Sequence, residues 1–335
     1  TITDMKKQVT WIGLLLCLLL FAACEKPVLD NGEDGKKPNN AKQKLTRVVR
    51  IHPRELRIET IEEAIGAKYQ PLSRAVSESR KRKFYAVNVY EKKSNDETYS
   101  MYAYGLFTSL SKIALKMNVN NLYKVECLIV EEGDDELFAN EDEFSAPFLH
   151  GANKATKVTN SFVFSKEENL NSLTKGETTV AKGRTVQYPR LVKLYGTIND
   201  FSPKTSKELT VDMKRSVFGL HFKVSPPEEG SLVINYIGWR ISLTKGSDTY
   251  DHSSVYSFSN IPKACEDGYQ LTMEVKVTWT KDDGTVEQES KQLVLKRNVM
   301  TVVEIRVEGQ KPQGFTLNEE PNDMKTEKVE WNLLL

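Results

Sequence analysis

Along most of the chain, apolar and polar side chains alternate one by one in short runs that end at Gly, Pro, Asn or Asp. Period two places successive side chains on opposite faces of a strand. Residues 84–90, F-Y-A-V-N-V-Y, set Ala86 and Asn88 on one face and Tyr85, Val87 and Val89 on the other. Ile113, Leu115, Met117 and Val119 alternate, N-V-N-N-L turns, and Tyr123, Val125, Cys127 and Ile129 alternate again. That pattern predicts a hairpin. Residues 161–164, 186–188 and 191–195 add shorter strands.

The second half is more regular. Residues 216–224 oppose Val217, Gly219, His221 and Lys223 to Phe218, Leu220, Phe222 and Val224. Strands follow at 232–236, 240–243 and 271–279. The turn T-K-D-D-G-T comes next, and its Asp-Gly supplies the positive φ of a tight hairpin. Residues 292–295 and 300–307 continue the series, and the final V-E-W-N-L-L-L sets Val329, Trp331, Leu333 and Leu335 on one strand face. With turn signals roughly every 8–15 residues and almost no helical period, the chain reads as all-β and built of sandwiches. Residues 200–208, rich in Ser, Thr, Lys and Pro, mark a boundary between two β domains, 75–204 and 205–335.

Upstream the pattern thins. Val49/Ile51 and Leu56/Ile58 form two alternating pieces either side of Pro53, strand-capable but too short to fold alone. Residues 61–70 allow a helical turn or two. Residues 25–44 hold hardly any large apolar side chains, which predicts a tether. From Met5 two lysines precede an apolar run over 11–23, right for a secretory h-region and short of the roughly 20 residues that span a bilayer. Residues 1–23 are therefore expected to be a signal peptide. Its ending, Phe21-Ala22-Ala23-Cys24, resembles a bacterial lipobox, in which Cys24 would be diacylated and hold the chain on a membrane. An ordinary signal peptide with a nearby Cys is the plainer alternative.

Charge changes the picture little. The chain has 47 basic and 46 acidic residues, and losing residues 1–23 makes the two equal. No basic stripe points to nucleic acid. Beyond Cys24 only Cys127 and Cys265 remain, with no disulfide framework in their spacing. His52, His150, His221 and His252 show no ligand spacing, and His221 reads as an ordinary strand residue. No nucleophile-elbow, zinc, phosphate-loop or dinucleotide pattern occurs. The acidic run 131–136, E-E-G-D-D-E, offers oxygens of the kind calcium takes, but matches no EF-hand loop. It reads more simply as an acidic turn. Carboxylate pairs for glycoside hydrolysis are assembled in space, so sequence neither favours nor excludes them. No enzyme activity, cofactor or metal is expected. Sugar binding is the stronger rival, because Tyr236, Trp239, Tyr250 and Tyr256 gather around loops of the second domain and aromatic faces stack on sugars.

Three motifs, in order, resemble the fimbrillins of Bacteroidetes, the lipoprotein precursors of donor-strand pili. They are P-L-S-R-A-V at 71–76 followed by S-E-S-R-K-R-K and F-Y-A-V-N-V-Y-E; M-K-R-S-V-F-G-L-H-F at 213–222; and the pair L-K-R-N-V-M-T-V-V-E-I-R-V-E-G with the terminal V-E-W-N-L-L-L. The resemblance spans the chain. It implies two tandem transthyretin-like β-sandwiches, a tether and propeptide strand over 24–74, and an outer-membrane, cell-surface or fimbrial location. It also implies an Arg-specific maturation protease cutting after Arg74 to leave Ala75 as the new N-terminus. Arg80 and Arg82 are alternative cuts that would trim only a polar leader. Losing the first strand would open an apolar groove, which Val329, Trp331, Leu333 and Leu335 of a neighbouring subunit could fill by β-augmentation. Other fimbrial subunits, the membrane lipid before processing and a surface receptor are the partners so implied. Two alternatives stay open. The terminal strand could close its own sandwich, and the chain could be an anchor, a tip or a monomeric glycan-binding lipoprotein.

Overall fold

The structure, a computed structural model, describes residues 46–55, 82–307 and 325–333. Strands dominate these residues. In chain order they are β1 (Thr46–Glu55), β2 (Lys83–Lys92), β3 (Ser100–Phe107), β4 (Ala114–Asn118) and β5 (Leu122–Glu131). Short pieces follow: β6 (Ala139–Asn140), β7 (Glu143–Phe144), β8 (Thr156–Lys157), β9 (Val163–Phe164), β10 (Thr178–Val180) and β11 (Arg184–Val186). Then come β12 (Val192–Phe201), β13 (Glu208–Arg215), β14 (Val217–Val224), β15 (Ser231–Tyr236) and β16 (Trp239–Thr244). The last are β17 (Tyr250–Ser257), β18 (Gln270–Thr280), β19 (Val286–Lys296), β20 (Val299–Val307) and β21 (Lys325–Leu333). One helical turn, α1 (Ile261–Ala264), lies between β17 and β18, capped by the Asn260 side chain accepting from Lys263 N–H.

The first core is enclosed by one long, folded sheet with strand order β4-β1-β13-β12-β5-β2-β3-β9. β13 and β12 meet at only two positions, Leu194 opposite Arg215 and Tyr195 opposite Lys214. The three strands on one side of that corner fold over the five on the other. Val49, Ile51, Leu115, Met117, Leu209, Val211 and Met213 from the small side pack with Val87, Val89, Phe107, Tyr123, Val125 and Cys127 from the large side. β2 is buried on both faces, because Phe84 and Ala86 join a third cluster with Leu128, Phe148 and Ile261.

The hairpin expected between 113–119 and 123–129 does not form. β4 and β5 are both present, but β5 pairs with β12 and β2, whereas β4 pairs with β1. The turn at Asn118–Asn121, held by Asn120 N–H donating to the Asn118 Oδ1, arches from one layer to the other. Period two reported correctly that both strands bury one face. It carries no information on whether those faces lie side by side or across a core. The stretch 200–208 holds the end of β12, the loop 202–207 and the start of β13, both strands of the first sheet, so the first core runs on to Met213.

The second core lies between two four-stranded sheets, β17-β14-β20-β21 and β16-β15-β18-β19. The predicted inward residues Phe218, Leu220, Phe222 and Val224 join Leu232, Ile234, Val275, Val277 and Leu295 there. The T-K-D-D-G-T hairpin is present, with Gly284 at φ +86 and Lys281 N–H donating to Thr285 O at 2.9 Å.

Candidate functional site

β1 occupies a slot inside the first sheet. On one side it runs antiparallel to β4, with Val49 opposite Leu115, and on the other parallel to β13, with Ile51 opposite Leu209. Both ladders are made: Ile51 N–H donates to Ile113 O and Arg50 N–H to Lys207 O, each at 3.0 Å. Alternation sorts the strand cleanly. Val49 and Ile51 are fully buried, whereas Val48, Arg50, His52 and Arg54 face water. Arg54 reaches across to Asp212 of β13, with Nη2 at 2.6 Å and Nε at 3.0 Å from the same oxygen. Both partners are half-exposed, so the pair adds register more than stability. Arg47 donates to Pro203 O at 2.8 Å. Burying the two apolar side chains gives roughly 3–6 kcal/mol gross, before the cost of ordering the strand.

At the other end of the chain, β21 pairs parallel to β20 over nine positions, from Val299 opposite Lys325 to Val307 opposite Leu333. The register sets Val329, Trp331 and Leu333 opposite Val303, Ile305 and Val307, which are core residues of the second sandwich. Leu335 lies outside the described residues, as do Cys24, Arg74 and Ala75.

The remaining candidates resolve into packing. Glu132 takes Arg82 on both its oxygens, at 2.8 and 2.7 Å, and accepts from Leu137 N–H. Asp135 accepts from Arg190 N–H at 2.8 Å, and Asp134 accepts from Ser254 Oγ at 3.1 Å. Glu132 and Asp135 thus brace the first half of the chain, and Asp134 reaches the second sandwich through Ser254. Among the described residues no group of His, Cys, Asp and Glu is arranged to hold a metal. The aromatic platform is also a joint. Tyr236 and Tyr256 are buried with their hydroxyls 3.2 Å apart, and the Arg190 guanidinium sits 4.1 Å from the centre of the Trp239 ring. Tyr236 and Tyr256 thus belong to the core, whereas Trp239 and Tyr250 are only partly buried at its margin. His221 bonds Asp251 at 2.5 Å, joining β14 to β17. Burial raises the Cys127 thiol well above its ordinary range and pushes Cys265 up to about 11, which keeps both protonated.

Sequence reasoning missed Lys193. It is fully buried, and its Nζ donates to Gly176 O at 2.7 Å and Thr178 Oγ1 at 2.5 Å. Desolvation pushes its pKa down to about 7, with Glu177 acting the other way. Gly176 itself bonds Ser259 O at 2.7 Å, so this lysine braces the strand that clamps the second sandwich. No apolar period or motif marks such a residue.

No known protein family matches the chain, and no curated protein matches it. Several solved structures from Bacteroides are similar in part. A candidate adhesin from Bacteroides ovatus is 11% identical with a TM-score of 0.29, over 88% of this chain and 98% of its own. A candidate cell adhesion protein from Bacteroides eggerthii is 10% identical with a TM-score of 0.30, over 80% and 88%. A candidate polysaccharide-binding protein from Bacteroides thetaiotaomicron is 11% identical with a TM-score of 0.26, over 60% and 70%.

Proposed function

We propose that this chain is a surface-exported fimbrial subunit, structural and adhesive rather than catalytic, that polymerises by strand exchange. The two cores are read as tandem transthyretin-like sandwiches. Export would leave Cys24 acylated, and cleavage after Arg74 would free the segment that carries β1. One observation carries the reading: a strand N-terminal to residue 74 fills an internal slot, with both its edges paired and Val49 and Ile51 in the core. Withdrawing it would leave two unpaired edges and an apolar gap, a state that proteins normally avoid. A strand alternating Val329, Trp331, Leu333 and Leu335 from a neighbouring copy has the pattern to fill such a gap.

The experiment is limited digestion of the purified chain with an Arg-specific protease, followed by terminal sequencing, sizing and electron microscopy. The expected result is a new N-terminus at Ala75, loss of the β1 peptide and growth of polymers. A chain ending at residue 324 should be cut in the same way and grow no polymers. A cut chain that keeps β1 and never associates would overturn the proposal. A second reading has its own support, since β21 already pairs with β20 along nine positions. If that strand stays at home, the chain would be a tip or anchor, and truncation at 324 would cost stability without touching assembly.

A further inference from the structure

Upstream of β2, arginines stand at 47, 50, 54, 57, 74, 80 and 82. An Arg-specific protease takes the arginine side chain into a pocket and draws the flanking main chain out as an extended segment. In a folded chain a bond is therefore cut only as often as its stretch stands free. Arg47, Arg50 and Arg54 belong to β1, which is paired on both sides. Arg82 is the other described residue of the set, and it is held in a different way.

Nε and Nη2 of the Arg82 guanidinium donate to the two oxygens of Glu132, at 2.8 and 2.7 Å. The Glu132 side chain is only 10% exposed, and it also accepts from Leu137 N–H at 3.1 Å. Half of the Arg82 side chain is open to water, so the hold comes from the two-pronged geometry and the buried partner. The main chain is tied at the same place, since Glu132 N–H donates to Arg82 O at 3.2 Å. The guanidinium lies 5.7 and 6.0 Å from the ring centres of Phe84 and Phe144, which stack against each other at 4.8 Å. Past the Arg82–Lys83 bond the chain enters β2 at once: Lys83 stands opposite Glu131 and Phe84 opposite Val130, with Phe84 in the core. A protease that took Arg82 would have to break the ion pair, the main-chain bond and the first rungs of β2. Losing Arg82 would then leave Glu132 a buried carboxylate without its cation, a costly state.

We propose that Glu132 is a specificity-determining residue for N-terminal processing: its grip on Arg82 withholds the Arg82–Lys83 bond, so the cut falls within 56–81 and the product keeps Arg82. This rests on the processing proposed above. Cutting adds water across the chosen bond, leaving a carboxylate on the arginine and a free amine on the next residue. The retained Arg82 then anchors the start of β2, which keeps its place between β3 and β5 when β1 departs.

The test is timed digestion of the full purified chain with an Arg-specific protease, with terminal sequencing of every product, for wild type and E132Q. In the wild type, cutting within 56–81 should outpace cutting after Arg82 by about a hundredfold or more. E132Q keeps an acceptor for Leu137 N–H but removes the charge, and should speed cutting after Arg82 by about tenfold or more. Arg240, exposed on β16 of the second sandwich, reports opening of the fold at large, and its cutting should not change. A wild type cut after Arg82 as fast as within 56–81 would overturn the proposal. So would an E132Q chain cut after Arg82 no faster than wild type, or one in which cutting after Arg240 rises by the same factor. Polymer growth is not the readout, so a chain cut within 56–81 that never associates would sink strand exchange and leave this proposal standing.

Discussion

β1 and β21 are both strands from the far ends of the described chain, yet they are held in different ways. β1 lies between two neighbours, and its inward side chains come from a slot lined by strands remote in sequence. β21 lies at a sheet margin with one described neighbour, β20. Removing an internal strand exposes two edges and a cavity, whereas removing a marginal one exposes a single edge. The first change destroys a layer and the second shortens one. Exchange of an internal strand is therefore the step that needs a replacement, and a marginal strand is the one a domain can spare.

The sharpest break of that comparison is to delete each strand in turn. The tryptophans help, because Trp239, Trp279 and Trp331 lie in the second half of the chain, and the fourth, Trp11, lies in the segment expected to be removed. Trp279, whose indole N–H donates to Glu229 O, reports the second sandwich, and circular dichroism reports both. Deleting residues 46–55 should abolish the cooperative unfolding of the first sandwich and leave the fluorescence transition in place. Deleting 325–335 should lower the fluorescence transition without abolishing it. Next in size, Ile51→Ala should cost the first sandwich about 2–5 kcal/mol in urea unfolding. Val48→Ala on the outer face of the same strand should stay within about 0.5 kcal/mol.

A smaller effect is expected where the two halves meet. A Cβ on Gly176 would lie 1.9 Å from Phe258 O, so Gly176→Ala must push the clamp apart. About 1–3 kcal/mol of overpacking is expected, seen as a wider separation of the two unfolding transitions. Smallest is the pH response of Lys193. Its folded pKa is lowered from 10.5 to about 7, so between those values the unfolded chain binds the extra proton. Stability contributed by this residue then rises with pH across that window, and below about 7 its full desolvation cost is present. The stability of wild type relative to Lys193→Met should improve from pH 7 towards 10, measured by urea unfolding at each pH. A flat difference would show that Lys193 stays protonated in the folded chain across that window, its pKa not lowered.

Sequence made the strands legible wherever one face is apolar: β2, β14, β18 and β20 fall close to where alternation places them. β19 was visible only over 292–295, because its first half, E-Q-E-S-K-Q, has no apolar residue to mark a face. Partners were less legible than strands. The arch between β4 and β5 looks locally like a hairpin, and the aromatic residues around Trp239 look locally like a platform. In both cases what decides is a segment far away, β1 for the arch and Arg190 for the ring. Val49 and Ile51 marked a short strand and the resemblance to fimbrillins implied a groove, but its far wall was not legible, since nothing near residue 50 names Leu209 or Asp212.

That distance has a consequence in time. Arg54 and Asp212 stand 158 positions apart, so β1 is synthesised long before the wall that completes its slot exists. Contacts of such long range form late and slowly. β4 arrives first and can hold β1 by one ladder, and β13 closes over it only when the first half of the chain is complete. During that interval any extended apolar segment nearby competes for the same place. Folding thus passes through a stage at which the first sandwich is open, and the order in which strands emerge gives the chain's own N-terminal segment first claim to the slot.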